Sequence, residues 1–303
     1  MSQTTIPPKP DLEPENMPLQ PGRSSSPVSV GASSSLGDFV QETTGLTRRL
    51  FIQLQRRPTT LVAGVIQPLM WLVLFGALFQ NVPQGLFGES QNYGQFLGAG
   101  VIVFTAFGGA LNAGLPVMFD REFGFLNRLL VAPLVSRFSI VLASAIFITT
   151  MSLIQTAAIV ATSAFLGAGL PDPIGIALVT AIVLLLVLGV TALSLGLAFS
   201  LPGHIELIAV IFVTNLPLLF ASTALVPLSF MPRWLQVVAS LNPLSYAIEP
   251  IRYLYLHSDW SFASVVMQAP WGAVTLGIAL LVLVGFAGAS LVAIQPVLRR
   301  RLA

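Results

Sequence analysis

The sequence predicts an all-α integral membrane protein with six transmembrane helices, and composition and charge placement carry that prediction. Of 303 residues, 55% are apolar and only 9% are charged, where a typical soluble domain carries about 25% charged residues. The apolar residues gather into six stretches, each close to or above the roughly 20 residues a helix needs to cross a bilayer. The charges collect between those stretches.

Residues 1–37 hold Pro7, Pro8, Pro10, Pro14, Pro18, Pro21 and Pro27, followed by a Ser/Gly run. Such a segment cannot bury enough apolar surface to offset its ordering entropy, so a disordered tail is expected ahead of a transmembrane domain at 38–303. From Asp38 to Arg57 the chain turns amphipathic. Leu46, Leu50 and Leu54 recur every fourth residue, with Arg48, Arg49, Arg56 and Arg57 as cationic groups. That pattern suits an N-terminal helix lying in the interface, its arginines among lipid head groups.

Span one is expected at about 59–80 and span two at about 95–118, the latter with Ala106, Ala110 and Gly114 every fourth position. Small residues at that spacing allow close helix contact in lipid. Residues 119–138, FDREFGFLNRLLVAPLVSRF, then interrupt the apolar run with Asp120, Arg121, Glu122, Arg128 and Arg137. Each ionised side chain near a bilayer centre costs about 2.5–3.5 kcal/mol on insertion scales, so this stretch stays outside the hydrocarbon. Phe119, Phe123, Leu126 and Leu130 share one helical face, and Asp120, Gly124, Asn127 and Arg128 another. An amphipathic helix joining two spans is the expectation, with Pro133 ending its periodicity.

Spans three and four follow at about 138–166 and 174–201, around a turn at Pro171, Asp172 and Pro173; span four has its own small stripe at Ala192, Gly196 and Ser200. Pro202, Gly203, His204 and Glu206 mark a tight connection to span five, at about 207–225, and span six is expected at about 271–294. Between them, Asn242 and Pro243 read as the cap and first residue of a helix. Glu249 and Arg252 stand three apart, near enough to pair. Two helices too short to span suggest an outer re-entrant hairpin, which survives at membrane depth only when buried in protein or lining a cavity.

Six spans put both termini on one side. That side carries twelve of the fourteen Lys and Arg residues, leaving only Arg233 and Arg252 for the other. The positive-inside rule therefore makes the termini and the charged island cytoplasmic, in a multi-pass protein of the cell (plasma or inner) membrane. Membrane lipid is the expected surrounding, and no nucleic-acid partner is expected.

Several chemistries are excluded. There are no cysteines, and the two histidines, His204 and His257, are not spaced as a helical metal pair. The only lysine is Lys9, so the chain lacks a G-x-x-x-x-G-K-[ST] loop and cannot hydrolyse ATP by that route. No ionisable residue lies in the centre of any expected span, which argues against ion-coupled carriage. No nucleophile–base pair or metal set marks an intramembrane enzyme. A channel or carrier without an ATPase, or a non-transporting scaffold, stays open on the residues alone.

The blocks Arg121-Glu122-Phe123-Gly124 with Leu129-Leu130-Val131-Ala132-Pro133-Leu134, and Leu241-Asn242-Pro243-Leu244-Ser245-Tyr246-Ala247-Ile248-Glu249-Pro250-Ile251-Arg252, give this chain its resemblance. Together with the order of spans, over about residues 40–300, it resembles a permease subunit of the ABC-2-type (type-2) ABC exporters, near the drug-efflux and polysaccharide-export permeases. The resemblance implies a coupling helix within 119–130 docking on a separate ATP-binding subunit through Arg121, Glu122, Phe123, Phe125, Asn127 and Arg128. His204 and Glu206 are a candidate second contact. It implies two permease copies, as homodimer or heterodimer, two ATP-binding subunits carrying ATP and Mg, no cofactor in this chain, and outward movement of a drug, lipid or glycan. Gln67, Trp71, Asn112 and Asn215 become candidates for the pathway or the dimer interface, and Asn242, Pro243, Tyr246, Glu249 and Arg252 belong to the outer hairpin. Pro250, expected to kink its helix, and the proline-rich leader depart from the shared pattern.

Overall fold

The computed structural model describes residues 36–56, 58–79, 81, 93–124, 138–165 and 170–302. The expected disordered tail lies outside the described residues, apart from the start of the first helix. So do Phe125, Asn127, Arg128 and Arg137 of the charged island.

Among the described residues, ten α-helices occur in order: α1 (Leu36–Gln55), α2 (Pro58–Leu78), α3 (Tyr93–Leu111), α4 (Gly114–Glu122), α5 (Phe138–Phe165), α6 (Pro173–Ser200), α7 (His204–Phe220), α8 (Arg233–Leu241), α9 (Pro243–Leu256) and α10 (Leu276–Leu302). Four stretches among these residues are long and apolar enough to cross a membrane: Phe96–Glu122, Phe138–Thr162, Pro173–Ser200 and Leu276–Leu298. Val62–Leu78 and His204–Phe220 are shorter apolar helices.

α6 is the central pillar. Its apolar residues run around the whole helix, as they must in a helix with no solvent face. Val179, Ile182, Val183, Leu186, Val187 and Leu195 are all buried. It packs on α3, α4, α5, α9 and α10. The closest approaches fall at glycine: a Cβ on Gly189 would meet the Phe286 ring at 2.6 Å, and one on Gly114 would meet the Ser194 carbonyl at 2.5 Å.

The second expected span is not one continuous helix. It breaks at Asn112–Ala113, and Ser194 of α6 bridges the break, its hydroxyl donating to the Leu111 carbonyl (2.6 Å) and accepting from the Gly114 N–H (2.9 Å). One side chain thus satisfies backbone groups that a break in apolar surroundings would otherwise leave unpaired. α4 then ends at Glu122, with Phe123 as its C-cap and Gly124 at φ +73°. The left-handed region stops a helix there and favours glycine. The amphipathic helix expected through 119–130 is therefore corrected at its start: 119–122 complete α4, and α4 does not pass Gly124.

Two other expectations change. The fold is not wholly helical, because Val265–Ala269 and Gly272–Thr275 form an antiparallel hairpin with Met267 opposite Val274 and Ala269 opposite Gly272. Valines flank a Pro270-Trp271 turn, and Met267, Ala269 and Val274 are buried while Gln268 and Ala273 face out, the period of two of a half-buried strand. The last span consequently starts at Leu276, not near 271. Its first backbone donors are met by loop carbonyls, Leu276 N–H to Ser264 and Gly277 N–H to Phe262, each 2.9 Å.

Candidate functional site

Among the described residues, three places gather the polar candidates: the end of α4, a cavity among the helices, and the α8–α9 hairpin.

At the end of α4, consecutive side chains leave in different directions. Asp120 accepts from Arg49 of α1, one nitrogen lying 3.2 Å from both carboxylate oxygens. Arg121 donates to three carbonyls where α6 ends, those of Ala198 (2.8 Å), Leu201 (2.5 Å) and Pro202 (2.7 Å). Glu122 accepts from the His204 backbone N–H (2.6 Å), and its other oxygen lies 2.5 Å from His204 Nδ1. The two charges suit the ends they meet: a cation at the carbonyl end of α6, an anion at the N–H end of α7. Gly203 is the N-cap of α7 and offers no side chain, so Glu122 supplies the missing acceptor from another helix. A Cβ at Gly203 would lie 2.8 Å from Glu122 Oε1, too near to keep that approach.

The expected docking residues therefore divide. Arg121 and Glu122 spend their polar atoms inside the chain. Phe123 is 78% exposed and stacks on Phe119, with ring centroids 6.0 Å apart. Phe125, Asn127 and Arg128 are outside the described residues, His204 is Glu122's partner, and Glu206 is exposed on the first turn of α7.

A cavity of about 520 Å³ opens among α2, α3, α4, α5 and α7, and Gln67, Trp71, Asn112 and Asn215 all line it. These four candidates come from two separate helices, α2 and α7, and one helix break. One wall is aromatic: Trp71 stacks on Phe104 with centroids 5.9 Å apart and leans on Phe75 at 5.9 Å. The lining also includes Thr105, Ser152 and Gln155, none of them a candidate on sequence grounds, and no ionisable side chain among the described residues. Ser152 Oγ and Asn215 Oδ1 are buried without a hydrogen-bond partner among the described residues. The Gln155 amide fits between two glycines: a Cβ at Gly64 would meet its Nε2 at 2.3 Å, and one at Gly109 its Oε1 at 3.4 Å. Polar spacing is the signal that could have found them. Thr149, Ser152 and Thr156 recur at i, i+3 and i+7 beside Gln155, a stripe on one side of an otherwise apolar span.

In the hairpin, Asn242 Oδ1 accepts from the Leu244 N–H at 3.0 Å with Pro243 as first helical residue, the cap expected from the pair. The Asn242 amide also donates to the Leu218 and Ala221 carbonyls where α7 ends, at 2.8 and 2.6 Å. Arg252, 7% exposed, donates to Glu249 (2.6 Å), to the Thr223 carbonyl (2.7 Å) and to the Phe96 carbonyl (3.3 Å), and its guanidinium sits 3.6 Å from the Phe96 ring centroid. α9 continues through Pro250 and is buried along most of its length, packed on α3, α6 and α10. Tyr246 is buried within it, and burial raises its phenol above the ordinary value.

Residues 41–256 match the membrane domain described as ABC-2 type transporter. The putative transport permease ycf38 of Porphyra purpurea is 56% identical over 267 residues, covering 88% of this chain and 91% of the relative. Its counterpart in Cyanophora paradoxa is 55% identical over 248 residues, covering 82% and 86%. The probable doxorubicin resistance ABC transporter permease protein DrrC of Mycobacterium tuberculosis is 26% identical over 235 residues, covering 73% and 79%. With a match across more than half its length and relatives this similar along nearly their whole chains, the protein belongs to the ABC-2 type transporter family and is a transport permease of that type.

Proposed function

We propose that this permease is the membrane half of an ATP-driven exporter that moves a hydrophobic or amphipathic molecule outward, with hydrolysis on a separate subunit. Permeases of the family generally work with ABC ATP-binding subunits, and a chain whose only lysine is Lys9 needs that division of labour. In this reading two permease copies and two ATP-binding subunits assemble, with ATP and Mg on the latter. The chain crosses a cell membrane six times, through α2, α3–α4, α5, α6, α7 and α10. Both termini are cytoplasmic, and α8–α9 form the outer re-entrant hairpin. Exposed apolar residues on α2 (Val62, Ile66, Met70) and α7 (Phe212, Val213, Leu216) supply surface for the second copy. Phe123 is the described residue offered to the ATP-binding subunit.

The cavity carries the substrate reading. Its aromatic wall can stack a flat apolar body, while Gln67, Gln155, Asn215 and Ser152 offer hydrogen bonds at intervals. An anionic group would find no cationic partner among its described lining residues, so recognition rests on stacking and neutral hydrogen bonds. The name of the mycobacterial relative, a doxorubicin resistance permease, supports an amphipathic aromatic substrate for the same kind of cavity.

The test is ATP hydrolysis by the complex reconstituted with its ATP-binding subunit, titrated with doxorubicin as aromatic amphipath and with phosphatidylcholine as lipid. Stimulation by one of them is expected. Gln155→Leu with Asn215→Leu should raise the half-stimulating concentration about tenfold, the equivalent of one neutral hydrogen bond or two. Stimulation indifferent to the double variant would remove the cavity from the pathway, and failure to bind any ATP-binding subunit would remove the ATP-driven reading.

A further inference from the structure

Asp120, Arg121 and Glu122 are adjacent in sequence, and successive residues of a helix point about 100° apart. Three in a row therefore sweep about 200° of the helix surface, so one flat docking partner cannot engage all three. The structure gives each its own partner within the chain: Arg49 of α1 for Asp120, the last carbonyls of α6 for Arg121, and the first turn of α7 for Glu122. Phe119 adds an apolar contact, its ring centroid 5.3 Å from that of His204. α1 in turn holds the start of α5, where the Ser139 hydroxyl donates to Glu42 at 2.8 Å and Phe51 meets Phe147 edge-on at 5.1 Å.

We propose that Asp120, Arg121 and Glu122 form a mechanical junction that fastens α1 and the α6–α7 turn to the end of α4. Displacement of the segment beyond Gly124 then passes to α1, α6 and α7 together. The inference rests on the reading that a separate ATP-binding subunit pushes on that segment. It changes the role of Arg121 and Glu122, which become positioning residues and leave docking to Phe123 and the segment beyond Gly124. Arg121 is the centre of the junction, because its guanidinium spans Ala198 to Pro202 and joins the end of α6 to the turn that starts α7. Contacts of this kind transmit well and remain adjustable. The ion pair of Asp120 with Arg49 is 28% and 29% exposed on its two sides, so it can shift by small steps without stranding a buried charge.

The chain has no cysteine, so Phe123→Cys with Ile205→Cys gives a unique spin-label pair on two exposed positions across the junction. In the full-length permease in lipid nanodiscs, pulsed dipolar spectroscopy should give one narrow distance distribution. Adding Arg121→Met should broaden it, and Arg121→Lys, which keeps a cation and several donors, should recover much of the narrow form. Should Arg121→Met fail to fold, Glu122→Ala breaks the other half of the junction and is read the same way. In the complex without labels, Arg121→Met should keep the ATP-binding subunit bound and hydrolysing while transport per ATP falls at least about fivefold. A distribution that stays narrow in Arg121→Met and Glu122→Ala overturns the junction, as does loss of the ATP-binding subunit on Arg121→Met, which would return the residue to docking. Should the wild-type chain bind no ATP-binding subunit, the exporter reading fails, and the distance measurement on the permease alone still decides the junction.

Discussion

Two arginines work at opposite ends of the 27-residue stretch Phe96–Glu122, and the setting of each differs. Arg252 grips the start, donating from Nε to the Phe96 carbonyl and lying over the Phe96 ring, while its two terminal nitrogens donate to Glu249 and the Thr223 carbonyl. It is 7% exposed. Arg121 grips the far end through three carbonyls and is only partly buried. A buried guanidinium with a partner on every nitrogen is costly to disturb, because removing it leaves a mostly buried carboxylate and two carbonyls without their donor. A partly exposed one can exchange partners with water at small cost. The stretch is thus held by buried contacts at its Arg252 end and by partly exposed, more adjustable contacts at its Arg121 end.

The largest effect that would test this comparison is at the anchored end. Arg252→Met should cost on the order of 3 kcal/mol, since the mostly buried Glu249 carboxylate and two backbone carbonyls would lose their donor. Thermal unfolding in detergent should show a large drop, and the double variant with Glu249→Gln should recover a substantial part. A drop no larger than that of Arg121→Met would erase the distinction between the ends. Next comes the Gly203 approach. Gly203→Ala should cost about 1 kcal/mol, because its methyl group displaces Glu122 and α7 loses the acceptor that caps it. Combined with Glu122→Ala it should add little beyond the single variant, as melting temperatures would report; full additivity would mean that the two do not meet. The smallest effect belongs to Arg49 and Asp120. A double-mutant cycle should give a coupling of about 0.2–1 kcal/mol, reduced in high salt. A salt-insensitive coupling above that range would make this end as rigid as the other.

Much of the architecture is legible in the sequence, for reasons that can be named. Uniform apolar runs place α5 and α6 within a residue or so of where they are expected. The Asn242-Pro243 pair locates the start of α9, because a capping side chain and a fixed φ act within a few residues. The same local reasoning fails where distant groups intervene. The break at Asn112–Ala113 depends on Ser194, some eighty residues away. The hairpin at 265–275 reads in sequence like the start of a span, since valines and a tryptophan raise apolarity whether they sit on a strand or a helix. Gln67, Trp71, Asn112 and Asn215 stand out in sequence as isolated polar or amphipathic residues in apolar runs, and only packing brings them to one cavity with Gln155.

The sequence by itself determined membrane residence and the order of the helices, because these follow from composition and run length. Tertiary structure alone decided what the charges at the end of α4 do. In sequence they are a polar island outside the membrane, equally suited to a partner or to water. Folding brings the end of α6 and the start of α7 beside them, and the unmet carbonyls and N–H groups of those two termini claim Arg121 and Glu122.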